Sequence, residues 1–110
     1  MKVLVTGSSK AFKSETIYKA LNTLHKDQGI HLVFITNDNG YAYLASVWAS
    51  DNKVPTRLFL PVRSEDCRKV NQRMIDAKPD LVLAFPGEIP TIDLVTRATK
   101  TKIPVIEIEG

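Results

Sequence analysis

The chain has 110 residues, 44 % of them hydrophobic, which supports one buried core but not two, so residues 1–110 are expected to form a single domain. Fifteen Lys and Arg against twelve Asp and Glu leave a net charge of +3, scattered along the chain with no stripe of basic and aromatic side chains, which argues against nucleic acid as a partner. The only cysteine, Cys67, excludes an internal disulfide, and Met1-Lys2-Val3-Leu4-Val5 lacks the apolar length of a signal peptide or membrane span. A soluble, cytoplasmic protein is expected.

Short apolar runs alternate with longer amphipathic ones. Lys2 to Thr6 reads as a first strand. Ser14 is placed to cap a helix in which Ile17, Ala20, Leu21 and Leu24 share a face, and Gly29 ends it. His31 to Ile35 is a second strand, followed by a helix with the buried stripe Tyr41, Leu44, Ala45, Trp48 and Ala49. Pro55 closes that unit. Arg57 to Leu60 makes a third strand, and Ser64, Glu65 and Asp66 supply a cap and acidic residues for a third helix with Cys67, Val70 and Met74 on its apolar face. Pro79 bounds that helix.

Leu81-Val82-Leu83-Ala84-Phe85 lacks alternation, as a central parallel strand covered on both faces does, whereas Val105-Ile106-Glu107-Ile108-Glu109 alternates and suits an edge. Between them Thr91 is placed to cap a last helix with Arg97, Lys100 and Lys102 towards its C-terminal end. Five strands and four helices in strict alternation predict a Rossmann-like three-layer α/β sandwich with a mostly parallel sheet. The strand order is expected to be 2-1-3-4-5 or 3-2-1-4-5. In the second, strands one and four are neighbours at the switch point, and their loops face each other.

Three loops and one helix offer groups for a ligand. Thr6-Gly7-Ser8-Ser9-Lys10 combines a glycine exit, hydroxyls and a charge, although Gly and Ser also dominate ordinary strand-to-helix loops. Thr36-Asn37-Asp38-Asn39-Gly40 offers amides and a carboxylate, of which Asn37 and Asp38 could equally cap a helix. In the third helix Arg68 and Asn71 stand at i and i+3 and could reach one ligand, against the alternative of a solvated basic face. Pro86-Gly87-Glu88 followed by Thr91 resembles a phosphate turn, but Glu88 brings a negative charge and Pro90 removes an N–H. His25 and His31 belong to no cluster with ligand spacing, so no metal and no cofactor are expected.

Taken together, "MKVLVTGS", "GYAYLASVWA", "NQRM" and "PDLVLAFPG" with Thr91 resemble the small YspA-type (cpYpsA-related) members of the SLOG superfamily, Rossmann-like proteins related to the LOG phosphoribohydrolases. The resemblance runs nearly from end to end. It implies a nucleotide or nucleotide-derived ligand at the strand C-termini and, often, a homodimer. Thr6, Gly7 and Ser8 agree with the family's Thr-Gly-Ser, while Ser9 takes the place of its Arg. In the second loop Gly40 survives, Ile35-Thr36-Asn37 replace His-Gly-Gly, and Ala42 replaces an Asp. Asn71 and Met74 match the Arg-Asn-x-x-Met motif with Val70 in place of Arg, and Pro86, Gly87 and Thr91 keep part of the Pro-Gly-Gly-x-Gly-Thr turn.

Leu94 stands where the LOG enzymes carry their catalytic Glu. The resemblance therefore implies binding without LOG-type hydrolysis, since neither the acid/base role nor the cationic role has an occupant. Two alternatives stand beside it. One is a degenerate member that has lost its ligand and works through protein contacts, with Tyr41, Tyr43 and Trp48 as aromatic candidates. The other is a divergent nucleotide or nucleoside hydrolase using Asp38 or Glu88.

Overall fold

In the computed structural model, which describes residues 1–7, 13–36, 40–62 and 66–108, the elements alternate as the sequence predicts. They are β1 (Lys2–Thr6), α1 (Ser14–Gln28), β2 (Leu32–Thr36), α2 (Tyr41–Asp51), β3 (Thr56–Phe59), α3 (Cys67–Asp76), β4 (Leu81–Ala84), α4 (Ile89–Lys100) and β5 (Val105–Glu107). The five strands form one wholly parallel sheet in the order β3-β2-β1-β4-β5, the second of the two expected orders. The architecture is a Rossmann-like α/β sandwich.

Alternation within the central strands divides the core. Val3 and Val5 of β1, Val33 and Ile35 of β2, and Leu81 and Leu83 of β4 point to one face, where they meet Ile17 and Leu21 of α1 and the α2 stripe Tyr41, Leu44, Ala45, Trp48 and Ala49. Leu4, Phe34 and Val82, one residue out of phase, meet Val70, Met74 and Ile75 of α3 and Leu94 and Ala98 of α4 on the other face. β1, β2 and β4 are thus covered on both sides, which explains why their sequences run apolar without a break.

The helices stop by a repeated device. Gly29 closes α1 at φ 75°, and lysines in the same left-handed region follow α2, α3 and α4: Lys53, Lys78 and Lys102, at φ 57°, 59° and 63°. After α2 and α4 the next residue completes a Schellman pattern, Val54 N donating to Ala49 O at 2.8 Å and Ile103 N to Ala98 O at 2.9 Å. Proline then follows, at Pro55, Pro79 and Pro104.

The helix starts differ from expectation. Ser14 is the first residue of α1 and makes no cap, since Lys13 holds the capping position without a side-chain bond. Ser64 and Glu65 lie outside the described residues, and Asp66 caps α3, accepting from the N–H groups of Arg68 and Lys69. α4 begins at Ile89 after Glu88, so Thr91 lies inside the helix rather than at its cap. A hydroxyl identifies a cap only when the backbone before it is extended, and that is set by how the loop leaves the neighbouring strand.

The histidines are structural. His25 Nδ1 accepts from Ile30 N at 3.0 Å while its ring meets Trp48 edge-on, and His31 Nδ1 lies 2.8 Å from the N-terminal amine. Among the described residues no cluster of His, Cys, Asp and Glu is fit to hold a metal ion, and no helix is long and apolar enough to cross a membrane.

Candidate functional site

Strand order brings the loops after β1 and β4 together. β1 and β4 pair in register up to Thr6 opposite Ala84, and Phe85 N donates to Thr6 O at 2.9 Å just beyond. This is the switch point of the sheet, where chains leave in opposite directions and open a crevice.

The two glycines of the crevice are packed against each other. A Cβ on Gly87 would stand 2.3 Å from Thr91 Oγ1 and 3.2 Å from the carbonyl carbon of Gly7. A Cβ on Gly7 would stand 2.5 Å from Cδ2 of Tyr41, whose ring stacks on Phe85 with centroids 4.4 Å apart and planes 13° from parallel. The space that a glycine leaves for close approach of a ligand is filled here by Thr91 and Tyr41.

Thr91 is 7 % exposed, and its hydroxyl lies 3.1 Å from that of Thr6. Two hollows meet at it. One, of about 200 Å³, lies over the ends of β1 and β2 between α3 and α4, with Thr6, Gly7, Thr36, Cys67, Asn71 and Thr91 along it and Val70 and Met74 among its apolar lining. The other, of about 360 Å³ and more open, lies between α4 and the ends of β4 and β5, with Pro86, Gly87, Thr91 and Glu107 along it.

Asn71 is the most constrained polar group of the first hollow. It is 5 % exposed, and its Nδ2 donates to Pro90 O at 2.9 Å and to Asp93 Oδ2 at 3.0 Å, tying α3 to the first turn of α4. Asp93 also accepts from Arg97 Nε at 2.8 Å, and Arg97 Nη1 reaches Gln72 Oε1 at 2.8 Å. Burial works against the charge of Asp93, but the hydrogen bonds from Arg97 and Asn71 outweigh it and hold the carboxyl below its ordinary value. Arg68 turns away: it is exposed and paired with Asp66 at 2.7 Å, so Arg68 and Asn71 do not converge.

Of the residues singled out from the sequence, Thr6, Gly7, Asn71 and Thr91 come together at the first hollow, and Pro86 and Gly87 line the second. Glu88 is exposed and lines neither, and Gly40 is buried ahead of α2, its carbonyl accepting from Leu44 N at 3.1 Å. Ser8, Ser9, Lys10, Asn37 and Asp38 lie outside the described residues. Thr36 was not singled out, although its place at the end of β2 is the signal that would have found it. Cys67, placed by its spacing on the apolar face of the third helix, is half-buried and lines the hollow. Val70, where the resemblance places an Arg, presents an apolar side chain to the hollow, and Leu94 is wholly buried in the core. Of the aromatic candidates for contact, Tyr41 and Trp48 are core and Tyr43 is 57 % exposed.

The family model of the YspA, cpYpsA-related SLOG family (YAcAr) matches residues 1–65, from β1 through β3. Asn71, Gly87 and Thr91 lie beyond the match. No curated protein and no solved structure matches the chain.

Proposed function

The chain belongs to the YspA, cpYpsA-related SLOG family, and from that premise we propose that it is a non-catalytic binding protein for a nucleotide or nucleotide-derived small ligand. One observation carries the reading: a hollow at the C-terminal ends of β1 and β2, beside the switch point, lined by Thr6, Thr36, Asn71 and Thr91. Ligands of open α/β sheets bind at this place because loops diverge there and leave space. The lack of catalysis is supported by the burial of Leu94 and by the apolar Val70. Glu88, the described carboxylate of the hydrolase alternative, lines neither hollow.

In this reading residues 1–110 act as one domain in the cytoplasm, and two copies associate. Association is supported by the exposed apolar side chains Leu58, Leu60 and Val62 on and after the edge strand β3. The internal filling of Gly7 and Gly87 favours the second reading, a member that has lost its ligand and works through such surfaces alone.

Thermal unfolding across nucleotides, cyclic and NAD-derived nucleotides and sugar phosphates separates the two. A ligand at a hundred times its Kd adds about 2.7 kcal/mol, or roughly 10 °C in a domain of this size. A selective shift of that order supports the binding reading. A flat panel together with a dimer by light scattering supports the second.

A further inference from the structure

Three regions of the surface could receive a partner: the apolar groove between α1 and β5, the basic face of α3, and the hollow between α3 and α4. The groove, lined by Leu24, Leu83, Ile106 and Ile108, gives no indication of what covers it. On the basic face, Arg68 is already paired with Asp66 and Arg73 donates to Leu60 O. The hollow carries an inference about ligand chemistry, which rests on the binding reading above.

We propose that the hollow between α3 and α4 takes the uncharged base of a nucleoside, with an N–H of the ring donating to Oδ1 of Asn71, and does not hold phosphate. The orientation of Asn71 is fixed by its partners. Pro90 O and Asp93 Oδ2 can only accept from it, so both must face Nδ2, and Oδ1 is left pointing the other way. Among the described residues that oxygen accepts no hydrogen bond, and it stays open to solvent on a residue otherwise buried (5 % exposed) that lines the hollow. A ring N–H of a bound base would take the place of the water that otherwise reaches this oxygen.

The described lining gives phosphate little to bind. Among the described lining residues none is charged. The two helix starts beside the hollow are also partly engaged: Asp66 accepts from the N–H groups of Arg68 and Lys69 in α3, and in α4 Pro90 has none while Thr91 N and Ile92 N both donate to Glu88 O at 3.1 Å. The carboxylate of Glu88 stands at the N-cap of α4, before Pro90, and that of Asp93 follows the first turn. Size points the same way. At about 200 Å³ the hollow is smaller than the pockets of roughly 300–1,000 Å³ that enclose a whole drug-sized molecule, so it has room for a ring system rather than a complete nucleotide. Val70 and Met74 supply the apolar surface on which a flat ring packs.

The single cysteine reports on this hollow. The rate at which Cys67 reacts with a disulfide reagent is measured in the presence of the common nucleosides, nicotinamide riboside, the matching 5′-monophosphates and inorganic phosphate. At least one nucleoside should slow the reaction severalfold at saturation, its monophosphate should bind no more than about threefold tighter, and inorganic phosphate should have no effect. Two controls place the ligand. Val70→Phe, checked for folding by its own melting curve, should abolish protection, and protein alkylated at Cys67 after folding should no longer bind by calorimetry.

A monophosphate that binds tenfold or more tightly than its nucleoside would overturn the inference and leave the binding reading standing. Protection that persists in folded Val70→Phe would place the ligand elsewhere and also overturn it. If no compound protects Cys67 while the thermal panel still gives a selective shift, the inference alone fails. If both are flat, the binding reading fails with it.

Discussion

Gly87→Ala tests whether the second glycine of the crevice serves internal packing or the approach of a ligand. The substitution carries no backbone strain, because Gly29 is the one described glycine in the left-handed region. The cost is steric: the new Cβ would stand 2.3 Å from Thr91 Oγ1 and 2.7 Å from Thr91 Cβ, with the Gly7 carbonyl carbon 3.2 Å away. Thr91 cannot retreat freely, since it is 7 % exposed and its hydroxyl bonds to Thr6. Overpacking of this kind costs about 1–3 kcal/mol, and loss of the Thr6–Thr91 hydrogen bond adds about 1. Together, about 2–4 kcal/mol should lower the melting temperature by roughly 8–16 °C, read by calorimetry or far-UV circular dichroism without any ligand. In the double variant Gly87→Ala/Thr91→Ala the oxygen contact is gone, so its loss should be smaller than the sum of the two single losses. A Gly87→Ala protein that melts within about 2 °C of the parent would refute the packing argument and return Gly87 to the role of a ligand-approach glycine.

Gly7→Ala should behave similarly, with a loss of about 1–3 kcal/mol, because its Cβ would press on the Tyr41 ring that stacks on Phe85; tyrosine fluorescence should change along with the melting temperature. Asn71→Ala removes the donor to Pro90 O and to the Asp93 carboxylate and should cost about 2–4 kcal/mol by denaturant titration, with amide exchange faster in the first turn of α4. For acid, the sign follows from Asp93. Its folded pKa lies below the ordinary 3.8, so its contribution is complete above that value and is lost as pH falls through the lower folded value. Melting temperature should therefore drop on acidification from about pH 5 towards pH 3, and the drop should be shallower in Asp93→Asn.

Much of the fold could be read from the chain because it rests on local patterns. The apolar run Lys2 to Thr6, the helix face of Tyr41, Leu44, Ala45, Trp48 and Ala49, and the stop at Gly29 each depend on residues a few positions apart. Strict alternation of strand and helix then narrows the topology to a few parallel sheets. The helix starts were harder. Ser14 and Thr91 are good capping residues in the wrong places, because a cap depends on where the preceding backbone turns from extended to helical.

The candidate site divides along the same line. That Thr6, Gly7, Asn71, Gly87 and Thr91 belong to the strand ends is a matter of sequence, since each is placed by its position after a strand or on a helix. What each does was decided by contacts between residues far apart in the chain. Gly87 meets Gly7 and Thr91 meets Thr6 only because β4 pairs with β1, and Asn71 turns its amide to Pro90 and Asp93 only because α3 lies beside α4. Amino-acid identity fixes which hydrogen bonds and volumes a residue can offer. Which partner receives them is set by the packing of elements that the sequence keeps apart, and that packing gave the glycines of this crevice to Tyr41 and Thr91 while placing Asn71 on the wall of a hollow.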